Sequence, residues 1–330
     1  MSDDQSQGSS SVVDLFFDWY HVPALVLVVA AMLAIRLQAY DSFVRDGAVY
    51  FSGNDAWYHL RQVEYTVRHW PFTMPYDPWT YFPYGTNAAQ FGTLYDQLVA
   101  TAALVVGLGS PSSDLVAKTL LVAPAVFGAL VAVPVYAVGK RLAGRVAGLF
   151  GAVVLLLLPG QFLQRGLVGF ADHNVAEPLF QTLAVLGLMV AIGVATRETP
   201  VWELVVDRDV DALRQPLLWS ALAGVGVALY MWVWPPGVLL VGVFGVYLVY
   251  QLTSDYVTGG SPEPVAFVGV VSMAVAAVLM LLQFEEAGFS PTDFGLLQPA
   301  VAFGVAAGAA FLAGLARLFD ARDLDRSLYP

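Results

Sequence analysis

The chain has 330 residues, of which 58% are hydrophobic and 12% charged, against roughly 45–50% and about 25% in an ordinary soluble domain; a normal water-soluble fold is excluded. Acids outnumber bases 26 to 15, giving a net charge of −11, a balance that argues against a nucleic-acid partner. Cysteine is absent, so neither disulfides nor thiolate metal sites enter the argument.

Residues 1–21 are acidic and polar, with no Lys or Arg ahead of the apolar run that starts at Val22. That is not the pattern of a cleavable secretory signal, and the segment is expected to be a cytoplasmic tail before a retained first span at 22–40. Further apolar runs cover 116–138, 146–160, 175–195, 217–234, 236–252, 264–283 and 296–316. Each is near the ~20 residues that cross ~30 Å of hydrocarbon, the run at 146–160 being short. They are apolar on every face, which lipid explains better than a soluble core. The expectation is an all-α, polytopic transmembrane bundle of about eight spans over 22–316, with a long external first loop (41–115), an external segment (161–174), an inner loop (196–216) and a polar tail (317–330).

A ninth candidate, Thr93 to Leu108, carries Asp96 and Gln97 near its start. If it stays outside as an interfacial or re-entrant helix, three successive inner segments hold Lys140, Arg141, Arg145, Arg197, Arg208, Arg214, Arg317, Arg322 and Arg326. That distribution satisfies the positive-inside rule. The non-crossing reading is therefore preferred, and it puts the first loop and segment 161–174 on one face, where they could meet.

Within the first loop, Trp70 to Tyr84 holds seven aromatic residues and four prolines in fifteen positions. The prolines forbid a regular helix, and the rings suit the headgroup level. Either an aromatic anchor or a loop shaped for a lipid-linked substrate fits. The inner loop from Arg197 to Gln215, with Glu198, Glu203 and Asp207 among its charges, suits a solvated surface helix.

Two polar clusters could carry chemistry. In the run from Ser52 to Arg61, Asn54 or Asp55 could cap a helix on which Asp55 and His59 share a face. In the run from Arg165 to Asn174, followed by Glu177, the acids, His173 and Asn174 lie beside a membrane and are costly to hold dry unless paired. Helix capping is again open, but a divalent cation would also pair them. Oxygen ligands suit Mg²⁺ or Mn²⁺, and histidine tilts the choice toward Mn²⁺. Arg165 adds a permanent charge suited to a phosphate oxygen, so the two clusters together make a seat for a membrane-anchored phosphosugar.

Four motifs then carry a resemblance: Gly53-Asn54-Asp55-Ala56-Trp57-Tyr58-His59, the run Tyr76 to Gly85, the run Gly166 to Asn174, and Trp232-Val233-Trp234-Pro235-Pro236-Gly237. Over nearly its whole length the chain resembles the N-terminal transmembrane part of the catalytic subunit of oligosaccharyltransferase, most of all the archaeal AglB type of haloarchaea. The resemblance implies a glycosyltransferase that moves an oligosaccharide from a dolichol-phosphate carrier to Asn in Asn-X-Ser/Thr, multi-pass in the plasma membrane with its active face external. Asp55 matches the family's acid that contacts both metal and acceptor amide. Asp172 matches a metal ligand, with Asn174 at the second ligand position, where the family has an acid or His, and His173 available beside it. Arg165 matches an arginine near the carrier phosphate. The implied cofactor is Mn²⁺ or Mg²⁺; the implied partners are the lipid-linked oligosaccharide, the acceptor polypeptide and the bilayer.

The family's external loop with a catalytic glutamate and its soluble C-terminal domain have no counterpart in these 330 residues, and Glu285 and Glu286 are not assigned that glutamate's role. The chain is thus expected to carry the metal- and carrier-binding membrane half and to be inactive alone. Two other readings stay open: another dolichol-phosphosugar-dependent glycosyltransferase, or a membrane transporter or scaffold.

Overall fold

The computed structural model describes residues 18–87, 91–197, 201–284 and 287–329; most of the expected N-terminal tail, Glu198, Glu285 and Glu286 lie outside them. Among the described residues, ten helices of 13 residues or more organise the fold: α1 (His21–Leu37), α2 (Asp55–His69), α3 (Leu94–Val106), α4 (Ser113–Leu130), α5 (Ala132–Leu157), α6 (Ala176–Ala195), α7 (Val210–Val233), α8 (Val238–Val257), α9 (Glu263–Leu281) and α10 (Leu297–Ala321). Two small antiparallel hairpins interrupt the first loop, β1 (Val44–Arg45) with β2 (Ala48–Val49) and β3 (Tyr76–Asp77) with β4 (Thr86–Asn87).

Among the described residues, seven helical stretches are long and apolar enough to cross a bilayer, and the chain is a multi-pass membrane protein. One stretch, Ser113–Leu157, is 45 residues long and turns at Ala143–Gly144, where Gly144 takes φ 85°, a conformation glycine adopts without a Cβ penalty. Its two legs pack back on each other, Gly139 against Gly148. That turn divides the 45 residues into the two separate runs, 116–138 and 146–160, read from hydropathy.

Helix α3 has 13 residues, about 20 Å at ~1.5 Å per residue, too short for the hydrocarbon core. Its start is tied to the end of α7: the Thr93 N–H donates to the Trp232 carbonyl at 3.1 Å. The inner loop differs from the expected surface helix. Among the described residues there, Val201–Val206 forms a separate short helix, with Val201 buried in the main core, and α7 already begins at Val210. The tail is likewise not simply polar and solvated. Tyr329 is buried on Tyr256, ring centroids 4.6 Å apart, and its hydroxyl donates to the Leu312 carbonyl at 2.8 Å. Two large rings offer enough apolar area to dock the segment.

The main core joins α6 to α10 through small side chains, among them Ala184, Ala223, Ala276 and Ala302. In lipid the drive for helix association is close packing rather than water exclusion, which explains the alanine and glycine content. Gly224 on α7 shows how close: a Cβ there would overlap the Ser272 carbonyl oxygen of α9. Gly224→Ala gains up to about 1 kcal/mol of helix propensity but must push apart two backbones, an overpacking cost of about 1–3 kcal/mol or more. The expected result is a lower thermal midpoint in detergent for Gly224→Ala and an unchanged or higher one for Gly304→Ala, whose Cβ would meet open space. Equal midpoints would refute the packing account.

Candidate functional site

The two polar clusters meet because backbone hydrogen bonds stitch them together. Between the loop after α5 and the start of α6, the Val168 N–H donates to the Arg36 carbonyl at 2.9 Å and the Gly169 N–H to the Leu121 carbonyl at 3.2 Å. The Gly169 carbonyl accepts from the Ser52 N–H at 2.9 Å. Gly169 has φ 91°, and a Cβ there would lie 2.6 Å from the Phe43 ring, so this close approach needs glycine. Three residues beyond each end of the Ser52–Gly169 bond stand Asp55 and Asp172.

Neither acid serves as a helix cap. Asn54 makes no side-chain cap bond at the start of α2, and Asp172 makes none before the short 3₁₀ turn His173–Val175; the capping alternative is thereby set aside. The Asp172 carboxylate instead faces histidines: His173 Nδ1 at 2.8 Å and His59 Nε2 at 3.2 Å from Oδ1. Asn174 Nδ2 donates to its other oxygen. His59 is 2% exposed and its Nδ1 donates at 2.8 Å to Asp96, itself 1% exposed.

The charges are strongly coupled. Burial alone would favour a neutral His59, but the charge of Asp96 and the hydrogen bonds to Asp172 and Asp96 outweigh it and raise the imidazole above its ordinary value; a cation at this site would take the place of the Nε2 proton. Burial would likewise raise Asp172, yet hydrogen bonds from His173 and His59 hold its carboxyl well below the usual carboxylate range. Burial raises Asp96, opposed by the charge and hydrogen bond of His59.

His59, Asp172 and His173 each present one donor atom within 4.8 Å of the others, close enough to share one cation. Two imidazoles and a carboxylate suit a borderline transition metal better than Mg²⁺, which takes oxygen ligands. A cleft of about 460 Å³ opens from this cluster past Asn54, Asp55, Tyr58 and Trp79. A neighbouring cleft of about 450 Å³ runs between Tyr81, Trp234, Pro235 and Asp293, and His173 and Phe91 border both.

Of the residues singled out from sequence, Asp172, His173 and Asn174 are together at the cluster. Asp55 is exposed on the rim of the same cleft and lies outside the three-donor group. Arg165 stands apart from the residues that line the two clefts: its Nε donates to Gln161 Oε1 at 3.1 Å and its guanidinium lies 5.8 Å from the Phe170 ring centre. Sequence reasoning missed Asp96 and the direct bond from His59 to Asp172. The available signal for Asp96 was an acid inside an apolar helix, which is expensive unless paired.

Beside the cluster, the aromatic loop hangs on one buried acid. Asp77, fully buried, accepts from Arg61 Nε at 3.1 Å and Nη2 at 2.5 Å, from Thr80 Oγ1 at 2.6 Å and from the Trp79 N–H at 3.1 Å. Around it the rings of Phe72, Trp79, Tyr81, Phe82 and Tyr84 remain exposed.

Comparison with known proteins fits this geometry. The family model "Oligosaccharyl transferase STT3, N-terminal" matches residues 24–321. The chain is 66% identical over 330 residues to the dolichyl-monophosphooligosaccharide-protein glycotransferase AglB of Haloferax volcanii, covering 100% of this chain and 31% of that protein. The oligosaccharyltransferase AglB of Archaeoglobus fulgidus, solved with an inhibitory peptide and a dolichol-phosphate, superposes with a TM-score of 0.79 at 25% identity over 93% of this chain and 34% of that one. An A. fulgidus oligosaccharyltransferase solved with Zn and sulfate gives 0.78 at 26% identity over 92% and 37%. The chain thus spans about a third of the length of these proteins.

Proposed function

The chain belongs to the STT3 family of oligosaccharyltransferases, and on that premise we propose that it forms the metal- and carrier-binding membrane part of an enzyme that transfers an oligosaccharide from a dolichol-phosphate carrier to Asn in Asn-X-Ser/Thr. The observation that carries the proposal is the convergence of His59 and Asp172–His173, from segments more than a hundred residues apart, on one open cleft. His59, Asp172 and His173 would hold the cation, with Asp55 reaching it, and the acceptor amide, from the rim. The Asn174 amide stays available as an uncharged oxygen donor. A transition metal such as Mn²⁺ is preferred to Mg²⁺, which takes oxygen ligands almost exclusively. When bound, such a cation stabilises charge developing on the leaving phosphate. Arg165 is assigned to the carrier phosphate on the strength of its charge and its match to the family arginine. The nine basic residues gather at the turn within α5, the α6–α7 connection and the end of α10, away from the cleft, which supports a cytoplasmic location for that end and an external site in the plasma membrane.

Function can be tested in a chimera in which this chain replaces the matching third of the Haloferax volcanii relative. Restored attachment of glycan to a reporter with a single Asn-X-Thr site, read as a mass shift, is expected, and Asp172→Ala should remove it. A chimera that inserts in the membrane at normal level but leaves the reporter unmodified would overturn the proposal.

A further inference from the structure

We propose that Asp96 is a positioning residue for the cation site: it holds the His59 imidazole with its proton on Nδ1, so that Nε2 is presented as a donor beside Asp172 and His173. The inference rests on the reading of the cluster given above and extends it to a residue outside the motifs that carry the family resemblance.

Asp96 is the only charged residue of α3, a mostly apolar helix, and is 1% exposed. A carboxylate in such a place is costly unless its partner is worth the burial. That partner is His59 Nδ1 at 2.8 Å. The other ring nitrogen faces Asp172 Oδ1 at 3.2 Å and His173 Nδ1 at 3.4 Å. The ring has little freedom to turn over, because Tyr58, Tyr95 and His173 pack edge-on around it at 5.1, 5.1 and 5.5 Å between centroids. Asp96 is itself held in place, since α3 starts where the Thr93 N–H bonds the Trp232 carbonyl. A carboxylate behind a histidine fixes the tautomer and raises the basicity of the opposite nitrogen; removing such a partner typically costs about 10–100-fold in metal affinity. A carboxylate that merely joined α2 to α3 would have no effect on which nitrogen meets a metal.

The test uses Zn²⁺ alone as the probe, with the 330-residue chain in detergent. Calorimetry should show about 10–100-fold weaker Zn²⁺ binding in Asp96→Ala, and a smaller loss in Asp96→Asn, whose amide oxygen still accepts from Nδ1. In the unmutated chain with ¹⁵N-labelled histidine, the Nε2 signal of His59, assigned by its loss in His59→Gln, should shift with Zn²⁺ while Nδ1 keeps its proton. This second measurement stands even if Asp96→Ala fails to fold. If Zn²⁺ binds, Asp172→Ala abolishes binding and the His59 signals do not move, or shift at Nδ1, the family reading stands and the role of Asp96 is overturned. If the unmutated chain binds no Zn²⁺, the cation site itself is refuted.

Discussion

Asp172→Ala is expected to abolish divalent-cation binding, with a loss in Mn²⁺ affinity of more than about 100-fold in calorimetry on the chain in detergent. The carboxylate is the one charged oxygen in the three-donor group and is shared by His59 and His173, so its removal leaves two imidazoles and no negative charge within that group. Since even a partner of a ligand is typically worth about 10–100-fold, a ligand itself should cost more. Asp172→Asn keeps the shape and hydrogen-bonding oxygen but not the charge, and should fall near the alanine variant. Asp55→Ala is expected to weaken binding less, by about 10-fold, because Asp55 is exposed on the rim of the cleft and outside the donor group. The reverse order, with Asp55→Ala abolishing binding and Asp172→Ala sparing it, would move the cation to the cleft mouth and refute the site as drawn. Mg²⁺ should compete poorly with Mn²⁺, as imidazole donors require.

Loss of Asp77 should release the aromatic loop. In Asp77→Ala, Arg61 loses a bidentate carboxylate, and Thr80 and the Trp79 N–H lose their acceptor. Removing one partner of a buried pair costs about 3–5 kcal/mol; Arg61 keeps 30% of its side chain exposed and can turn to water, so about 2–3 kcal/mol is expected. Amide exchange in residues 76–87 should then accelerate by roughly 30–150-fold, while exchange in the spanning helices stays as it was. The same acid sets a pH limit. Burial would raise its pKa, but hydrogen bonds from Arg61, Thr80 and Trp79 leave it below the usual value. A depressed native pKa means that the stabilisation is complete above the unfolded value near ~3.9 and disappears as pH falls through the lower native one. Loop protection should therefore be flat from about pH 8 to 5 and decline only below about 4. A loop that exchanges equally fast in Asp77→Ala and the unmutated chain would show that the exposed rings, not this acid, hold its shape.

Much of the architecture could be read from residue order. Runs of about 20 apolar residues have one stable outcome in a bilayer, because every backbone polar group must be satisfied within the segment. The charge bias around Lys140, Arg197 and Arg317 was enough to place the first loop and segment 161–174 at the same end. The same bias made the non-crossing reading of 93–108 the preferred one, and the helix there is 13 residues long. The docked tail was not, since Tyr329 has a partner only once α8 and α10 lie side by side.

For the site the division is sharper. By itself the sequence determined the membrane architecture, the family, and the local runs that hold Asp55, Asp172, His173 and Asn174, because short-range spacing and hydropathy are properties of residue order. Only the tertiary structure decided that Asp172 faces two histidines instead of capping a helix, that Asp55 stays on the rim, and that Asp96 stands behind His59. Those pairings join residues 37 and 113 positions apart. The first follows from the Thr93–Trp232 bond that seats α3, the second from three backbone hydrogen bonds and a glycine packed on Phe43, and no periodicity along the chain encodes contacts made by that kind of long-range closure.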